Sequence, residues 1–170
     1  MFSPTTRLLL LVLVASFGIF ELVRGQTIGW LFILAAAILA YGHTRRNDPR
    51  LSEAFGAYRK GDLDLVRDRL RQIGAPERLG PRDRAYFEFL SGVVAQRSED
   101  WDTARAHLVA ASSGPIHTDM LRTVIACHLA AVEIERGEMT AAREQIELAE
   151  KLPHAASLDE TIAALRARLE

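Results

Sequence analysis

The sequence predicts an all-α protein: an N-terminal two-helix transmembrane hairpin, followed by an α-solenoid of three helix pairs and a C-terminal capping helix. Three observations predict this fold. Two apolar runs stand close together near the N-terminus, apolar residues elsewhere recur at helical spacing, and one turn pattern returns at a regular interval. Side chains three and four positions apart lie on one face of a helix, so the pattern indicates amphipathic helices that pack in pairs.

Residues 8–20 and 27–41 form the two apolar runs of the hairpin. A helix of such a length spans roughly 20 Å, so each run is expected to extend into its flanks to cross a hydrocarbon core of about 30 Å. We therefore predict transmembrane helices at residues 7–23 and 27–43, followed by a basic linker at 44–50. A cleaved signal peptide is the alternative, and the second apolar run disfavours it.

Basic residues near the hairpin predict its orientation. Arg7 precedes the first run, and Arg45 and Arg46 follow the second, whereas the connection between the runs contains Arg24 alone. Positively charged residues concentrate on the cytoplasmic side of membrane proteins. The expectation is an integral membrane protein with two transmembrane helices and both termini in the cytoplasm.

The charge pattern argues against nucleic acid as a partner. Residues 44–170 carry 19 Lys and Arg against 21 Asp and Glu, mixed along the segment, whereas a nucleic-acid binder presents a basic face. The single cysteine, Cys127, excludes an internal disulfide and a zinc site built on several cysteines. The histidines after residue 44 are scattered without metal-ligand spacing, so no metal and no cofactor is expected.

The repeat begins at residue 51 and continues through three units. Gly61, Glu99 and Gly137 are equally spaced along the chain, each in a short polar turn that precedes an apolar lattice at helical spacing. Another helical stretch precedes each turn, and segments with Gly or Pro separate the units. The predicted units are residues 51–76, 82–114 and 117–153, which together with the C-terminal segment make a domain over residues 51–170.

This arrangement resembles the tetratricopeptide repeat family, in which small residues let neighbouring helices cross closely. The small positions are filled in the second and third units by Gly92, Ala104, Ala111, Ala130, Ala142 and Ala149. The first unit is degenerate at these positions, although its segment KGDLDLVRDRL fits the turn and second-helix pattern. The interval from Gly61 to Glu99 is about one helical turn longer than the family's usual period of about 34 residues. In addition, Glu88 stands where the family has a large aromatic residue.

Residues 157–169 are expected to form the capping helix. Ser157 and Glu160 make a capping-box pattern at its start, and Ile162, Leu165 and Leu169 share one side. Repeat arrays need a terminal element with a polar outer face that covers the last apolar surface. This segment has the composition for that role.

The resemblance implies a concave groove, lined by the first helix of each unit, that binds a peptide or helix of a protein partner. Carried over position by position, the partner-binding groove comprises Phe55, Tyr58, Arg59, Tyr86, Phe89, Val93, Gln96, Arg97 and Ile134. Tyrosine and arginine are enriched among interface anchors and are the better contact candidates. The apolar side chains Phe55, Phe89 and Val93 have packing in the core as an alternative role.

The predicted function is a membrane-anchored protein–protein interaction scaffold or adaptor, whose groove binds a protein partner at the cytoplasmic face of the membrane. The alternative is an accessory or assembly subunit of a membrane protein complex, bound mainly through the hairpin to another membrane protein. The sequence contains no phosphate-binding loop and no nucleophile elbow, so neither a catalytic site nor enzymatic activity is expected. Its oligomeric state is left open.

Overall fold

The computed structural model describes residues 16, 19, 24, 29–34, 48–116 and 118–170. The chain divides into two compact regions, Met1–Asn47 and Asp48–Glu170. In the first region, Ser16, Ile19 and residues 29–34 are helical. The regular secondary structure of the described residues is helical throughout, which agrees with the predicted all-α class.

The predicted transmembrane hairpin is wrong, because no helix formed by the described residues is long and apolar enough to cross a membrane. A span needs about 20 continuous apolar residues. The predicted integral-membrane localisation, with two spans and both termini in the cytoplasm, is overturned by the same finding. Most of the predicted segments 7–23 and 27–43, and linker residues 44–47, lie outside the described residues.

The second region contains seven α-helices among its described residues. They are α1 (Pro49–Arg59), α2 (Leu63–Arg71), α3 (Pro81–Arg97), α4 (Trp101–Ser112), α5 (Asp119–Glu135), α6 (Met139–Lys151) and α7 (Asp159–Ala167). Short 3₁₀ turns at Pro76–Arg78 and Ala156–Leu158 precede α3 and α7. Successive helices pack as hairpins, and we call α1–α2, α3–α4 and α5–α6 pairs 1, 2 and 3.

The same turn ends the first helix of every pair. Gly61, Glu99 and Gly137 adopt left-handed φ angles of 78°, 57° and 79°. The residue after each of them donates its backbone N–H to a carbonyl in the last helical turn, over 3.0, 3.1 and 2.8 Å. This Schellman arrangement satisfies carbonyls at the helix end and reverses the chain. It ends the first helices at Arg59, Arg97 and Glu135, which occupy equivalent positions of the repeat.

The turn also starts the second helix in two of the pairs. The carboxylate of Asp62 accepts a hydrogen bond from the Leu65 backbone N–H over 3.0 Å, and that of Asp100 accepts one from Thr103 over 3.2 Å. Aspartate is among the residues favoured at this N-cap position. Glu138 takes the same place in pair 3 without a side-chain capping bond.

Small residues set the helix spacing within pair 2. A Cβ atom on Gly92 would lie 2.7 Å from Leu108 Cγ and 3.2 Å from the Ala104 carbonyl oxygen. A Cβ on Gly114 would lie 2.5 Å from Ala85 Cβ. Carbon atoms in contact prefer separations of about 3.5–4.0 Å, so α3 and α4 pack this closely only because both positions lack a side chain.

The pairs stack side by side along the chain. Helix α2 packs on α3, and α4 packs on α5, while the first helices also contact one another, α1 with α3 and α3 with α5. Among the described residues, no contact of similar extent joins α2 with α4 or α4 with α6. The first helices therefore lie closer together than the second helices and form the inner side of the stack.

Helix α7 covers the end of pair 3. Its Ile162 and Leu165 are buried in an apolar cluster with residues of α5 and α6, separate from the larger cluster that spans pairs 1 and 2 and reaches into α5. The predicted capping box at Ser157 does not form, because residues 156–158 make a 3₁₀ turn and α7 begins at Asp159 without a side-chain cap.

Candidate interaction surface on the inner side of the stack

An aromatic cluster joins the inner faces of α1, α3 and α5. Phe55 and Tyr86 meet edge to face with ring centroids 5.5 Å apart, and Tyr58 and Phe89 do so at 5.2 Å. The Phe89 ring then meets the His128 imidazole at 5.8 Å and 66°. Edge-to-face contacts place the positive ring edge against the negative ring face. The cluster thus connects all three pairs through side chains on their first helices.

A hydrogen-bond chain runs through the same cluster. The amide oxygen of Gln96 accepts a bond from His128 Nδ1 over 2.7 Å, because an amide oxygen can only accept. The other ring nitrogen, Nε2, then accepts from the Tyr58 hydroxyl over 3.2 Å. The three side chains come from α1, α3 and α5, so these two hydrogen bonds join the three helix pairs to one another.

Burial keeps this chain electrically neutral. It lowers the pKa of His128 to about 4, since the charged imidazolium loses its hydration inside the stack. Burial, with a smaller contribution from Cys127, raises the pKa of the Tyr58 hydroxyl. Burial also raises the pKa of the Cys127 thiol. Near neutral pH the hydrogen-bond chain therefore consists of a neutral imidazole, a phenol and an amide, and the Cys127 side chain is a thiol.

The residues predicted for the groove occupy four kinds of position. Phe89, Val93 and Ile134 are buried in the core, at 0%, 5% and 8% exposure. Tyr58 and Gln96 are half-buried and belong to the hydrogen-bond chain, whereas Phe55 and Tyr86 are half-buried at its edge. Arg59 and Arg97 are exposed. The centre of the surface is filled by the protein's own side chains, and a partner can reach its rim.

The rim carries positive charge. Arg59, Arg97 and Arg82 make no hydrogen bond or ion pair with any described residue, and the Arg82 guanidinium lies 5.7 Å from the centroid of the Tyr86 ring. Such a placement is favourable for a cation over an aromatic face. Arg59 and Arg97 are equivalent by the repeat and stand at the ends of α1 and α3.

Three carboxylates of α3 and α5, those of Glu88, Glu133 and Glu135, already pair with basic side chains, whereas Asp83 of α3 is buried and interacts with Arg82. Glu88 is bound by Arg84 at 2.8 Å and by His107 at 2.6 Å; burial opposes its ionisation, but these two hydrogen bonds outweigh burial and lower its pKa. Glu133 is paired with Arg105 at 2.7 Å. Glu135 occupies the position of pair 3 that is equivalent to Arg59 and Arg97, and it is paired with Arg168 at 2.5 Å.

Sites for chemistry elsewhere are sparse in the part of the chain that the structure describes. It holds no group of three or more His, Cys, Asp or Glu side chains placed to bind a metal ion. A cavity of about 220 Å³ opens between α6 and α7, lined by Arg143, Ile146, Glu147, Arg166, Leu169 and Glu170. This opening mixes both charges with two apolar side chains, and no nucleophile lines it.

Sequence reasoning missed two residues of the surface, His128 and Arg82. His128 occupies the position of pair 3 that is equivalent to Leu90 in pair 2, so the repeat did not predict a hydrogen-bonded polar side chain at this position. Arg82 lies in the first turn of α3, outside the predicted groove positions. One signal was available for Arg82: it is four residues before Tyr86, the spacing that brings two side chains together on a helix.

Comparison with known proteins finds no matching family model, no matching curated protein and no matching solved structure.

Proposed function

We propose that residues 48–170 act as a protein–protein interaction scaffold, and that a peptide or helix of a partner binds on the inner side of the stack. The observation that carries this proposal is the rim of the aromatic cluster. There, Phe55 and Tyr86 are half-buried, the Arg82 guanidinium lies over the Tyr86 ring, and Arg59 and Arg97 are exposed at the ends of α1 and α3. The resemblance to tetratricopeptide repeats, noted from the small residues at the helix crossings, implies the same side for partner binding.

The composition of the rim suits a macromolecular partner. Tyrosine and arginine are the side chains most often found as interface anchors, since each combines a large apolar area with a polar group. A partner that places an apolar side chain against Phe55 and Tyr86 would bring its own charges near Arg82 and Arg59, and a segment that continues along α3 would reach Arg97 at the end of that helix. Complementarity therefore favours acidic side chains beside the apolar anchor.

The internal bonding of the surface supports the same role. The Tyr58–His128–Gln96 chain and the edge-to-face rings fix the orientation of α1, α3 and α5. A binding surface that is rigid before the partner arrives loses less conformational entropy on association. The packed side chains at the centre of the surface thus hold the rim residues in place before a partner binds.

Charge reversal at the rim tests the proposal. The full chain, its R59E/R97E variant and the R71E/R143E variant are immobilised and used to capture partners from a lysate of the source cells. Arg71 and Arg143 are exposed and have no ion pair among the described residues, but they lie on the second helices α2 and α6. We expect R59E/R97E to lose at least about tenfold in captured partner, as two disrupted charge contacts at an interface imply, and the control to lose little.

A photo-reactive amino acid then maps the contact directly. Placed at position 86 on the rim, it should crosslink the captured partner; placed at position 148, on an exposed part of α6, it should not. Equal capture by both charge-reversed variants, or crosslinking from position 148 alone, contradicts the proposal.

A further inference from the structure

His154 lies in the link between α6 and α7, and both of its ring nitrogens face hydrogen-bond acceptors. Nδ1 is 2.6 Å from the backbone carbonyl oxygen of Leu152, and Nε2 is 2.9 Å from a carboxylate oxygen of Asp159. A carbonyl oxygen and a carboxylate oxygen can only accept. Two N–H groups are needed to make both bonds, so the geometry fits the doubly protonated imidazolium and no neutral form of the ring.

The two bonds hold α7 in place. Leu152 is the residue that ends α6, and Asp159 is the first residue of α7, so His154 joins the end of one helix to the start of the next. Its side chain is only 14% exposed. Beyond this clamp, α7 is held by a small apolar area, chiefly Ile162 and Leu165, and by the ion pairs that Arg166 and Arg168 make with Glu150 and Glu135.

We propose that protonation of His154 controls the docking of α7 on pair 3, so that α7 closes the stack when His154 is charged and loosens when it is neutral. The neutral ring can donate from one nitrogen only. The other then presents a lone pair to an acceptor, and one of the two links between α6 and α7 is lost. Loosening of α7 uncovers the apolar surface that it covers, which includes Ala130, Ile146 and Ala149.

The direction of the pH effect follows from the bonds. The carbonyl of Leu152 and the carboxylate of Asp159 raise the pKa of His154 above its ordinary value of 6.5. A raised pKa in the folded state means that the contribution to stability is complete below the ordinary value and is lost as the pH rises through the raised value. Docking of α7 is therefore tighter in mildly acidic than in mildly alkaline solution.

Other charged groups lie on the helices that meet at the clamp. They lie on α5 (Glu135), on α6 (Glu147, Glu150 and Lys151) and on α7 (Asp159, Glu160, Arg166 and Arg168). Carboxylates, lysine and arginine ordinarily titrate outside the interval between about pH 6 and about pH 8.5. Among these groups, the carboxylate of Asp159 is the one in contact with the ring.

Hydrogen exchange of the full chain tests the proposal. Exchange of backbone amides in residues 159–167, corrected for the intrinsic rate, is measured at about pH 6 and about pH 8.5, with α3 amides as the internal reference. We expect the opening equilibrium of α7 to increase about fivefold between the two, the change that one net hydrogen bond implies. In H154Q and in D159N this pH dependence should disappear.

A third variant separates loss of the clamp from general weakening. I162A removes apolar contact from α7 and should raise exchange at both pH values by the same factor, with the pH dependence kept. Exchange in α3 reports whether each variant remains folded. Protection of α7 that does not change with pH in the wild type, or a pH dependence that persists in H154Q, overturns the proposal.

Discussion

Tyr58 and His128 are 70 residues apart in the chain and share a hydrogen bond of 3.2 Å between the hydroxyl and Nε2. The bond joins pair 1 directly to pair 3, and the ring of Phe89, on pair 2, contacts both the Tyr58 ring and the His128 ring. In a repeat array, each unit normally contacts only its neighbours. This stack therefore contains a polar link between units that are not neighbours, and the link should add cooperativity to its unfolding.

Removing the hydroxyl tests that link. In Tyr58→Phe the ring contacts remain, but Nε2 of the half-buried His128 has no donor. We expect the free energy of unfolding to fall by about 1–3 kcal/mol, the usual result of leaving a buried acceptor unsatisfied, as measured by urea denaturation. Tyr86→Phe is the matched control, since no hydrogen bond of its hydroxyl to a described residue is seen and its ring stays beside Phe55 and Arg82. An equal loss in both variants contradicts the prediction.

Acid should weaken the fold through His128. Its pKa falls from 6.5 to about 4 in the folded state because of burial, so below pH 6.5 the unfolded chain binds a proton that the folded chain does not. Stability is complete above the ordinary value and decreases from there down to about pH 4. The expected total is about 3 kcal/mol, at 1.36 kcal/mol for each unit of pKa difference.

Denaturation curves at several pH values measure this decrease. His128→Gln has no group that titrates, so its stability should fall less than that of the wild type between pH 6.5 and about pH 4. A wild-type slope that persists in His128→Gln assigns the acid sensitivity to other groups.

The helix pairs could be read from the sequence because their determinants are local. The turns at Gly61, Glu99 and Gly137 are visible as a regular period, and in the structure these residues are the left-handed positions that end α1, α3 and α5. The hairpin prediction failed for a different reason. It rested on the apolar runs of the sequence, and no helix formed by the described residues is long and apolar enough to cross a membrane.

The turn of pair 2 contains a built-in strain that a substitution should relieve. Glu99 is the only non-glycine residue with positive φ among the described residues, at 57°, and its counterparts in pairs 1 and 3 are glycines. A side chain in this region costs roughly 1–2 kcal/mol, part of which glycine returns through its more flexible unfolded state. We expect Glu99→Gly to raise stability by about 0.5–1 kcal/mol, seen as a higher melting temperature.

Glu99→Ala distinguishes strain from charge. Alanine removes the carboxylate but keeps the Cβ atom, so it should give little of the gain. The reverse change, Gly61→Ala, should lower stability by about 1 kcal/mol, although nothing lies within 4 Å of the added Cβ. A gain from alanine equal to that from glycine would assign the effect to the carboxylate.

The candidate surface was harder to predict than the fold, because its geometry depends on contacts between pairs. Tyr58 and Gln96 are equivalent by the repeat, and position alone places them on the same face of their helices. Their common partner, His128, is not at the equivalent position of pair 3, which is Ile134. Only the packing of α5 against the other first helices decides which residue completes the chain.

The closest helix crossing gives the last prediction. Gly92→Ala places a Cβ atom 2.7 Å from Leu108 Cγ, in the interior of pair 2 where Leu108 is fully buried. One side chain must then shift or the helices must separate, and such overpacking typically costs about 1–3 kcal/mol. Gly56→Ala is the matched control, because Gly56 lies inside α1 and nothing is within 4 Å of the added atom. There the better helix propensity of alanine should stabilise the chain by about 0.5–1 kcal/mol.

The contact between Gly92 and Leu108 can be isolated by a double-mutant cycle. Leu108→Ala alone leaves a cavity and should cost about 2–5 kcal/mol. In Gly92→Ala/Leu108→Ala the new methyl group enters space that the leucine has left, so the double variant should be more stable than the sum of the two single changes predicts. The coupling is expected at about 0.5–3 kcal/mol, the range for residues in contact. Additive losses would mean that Gly92 is required for its backbone and not for the close approach of α3 to α4.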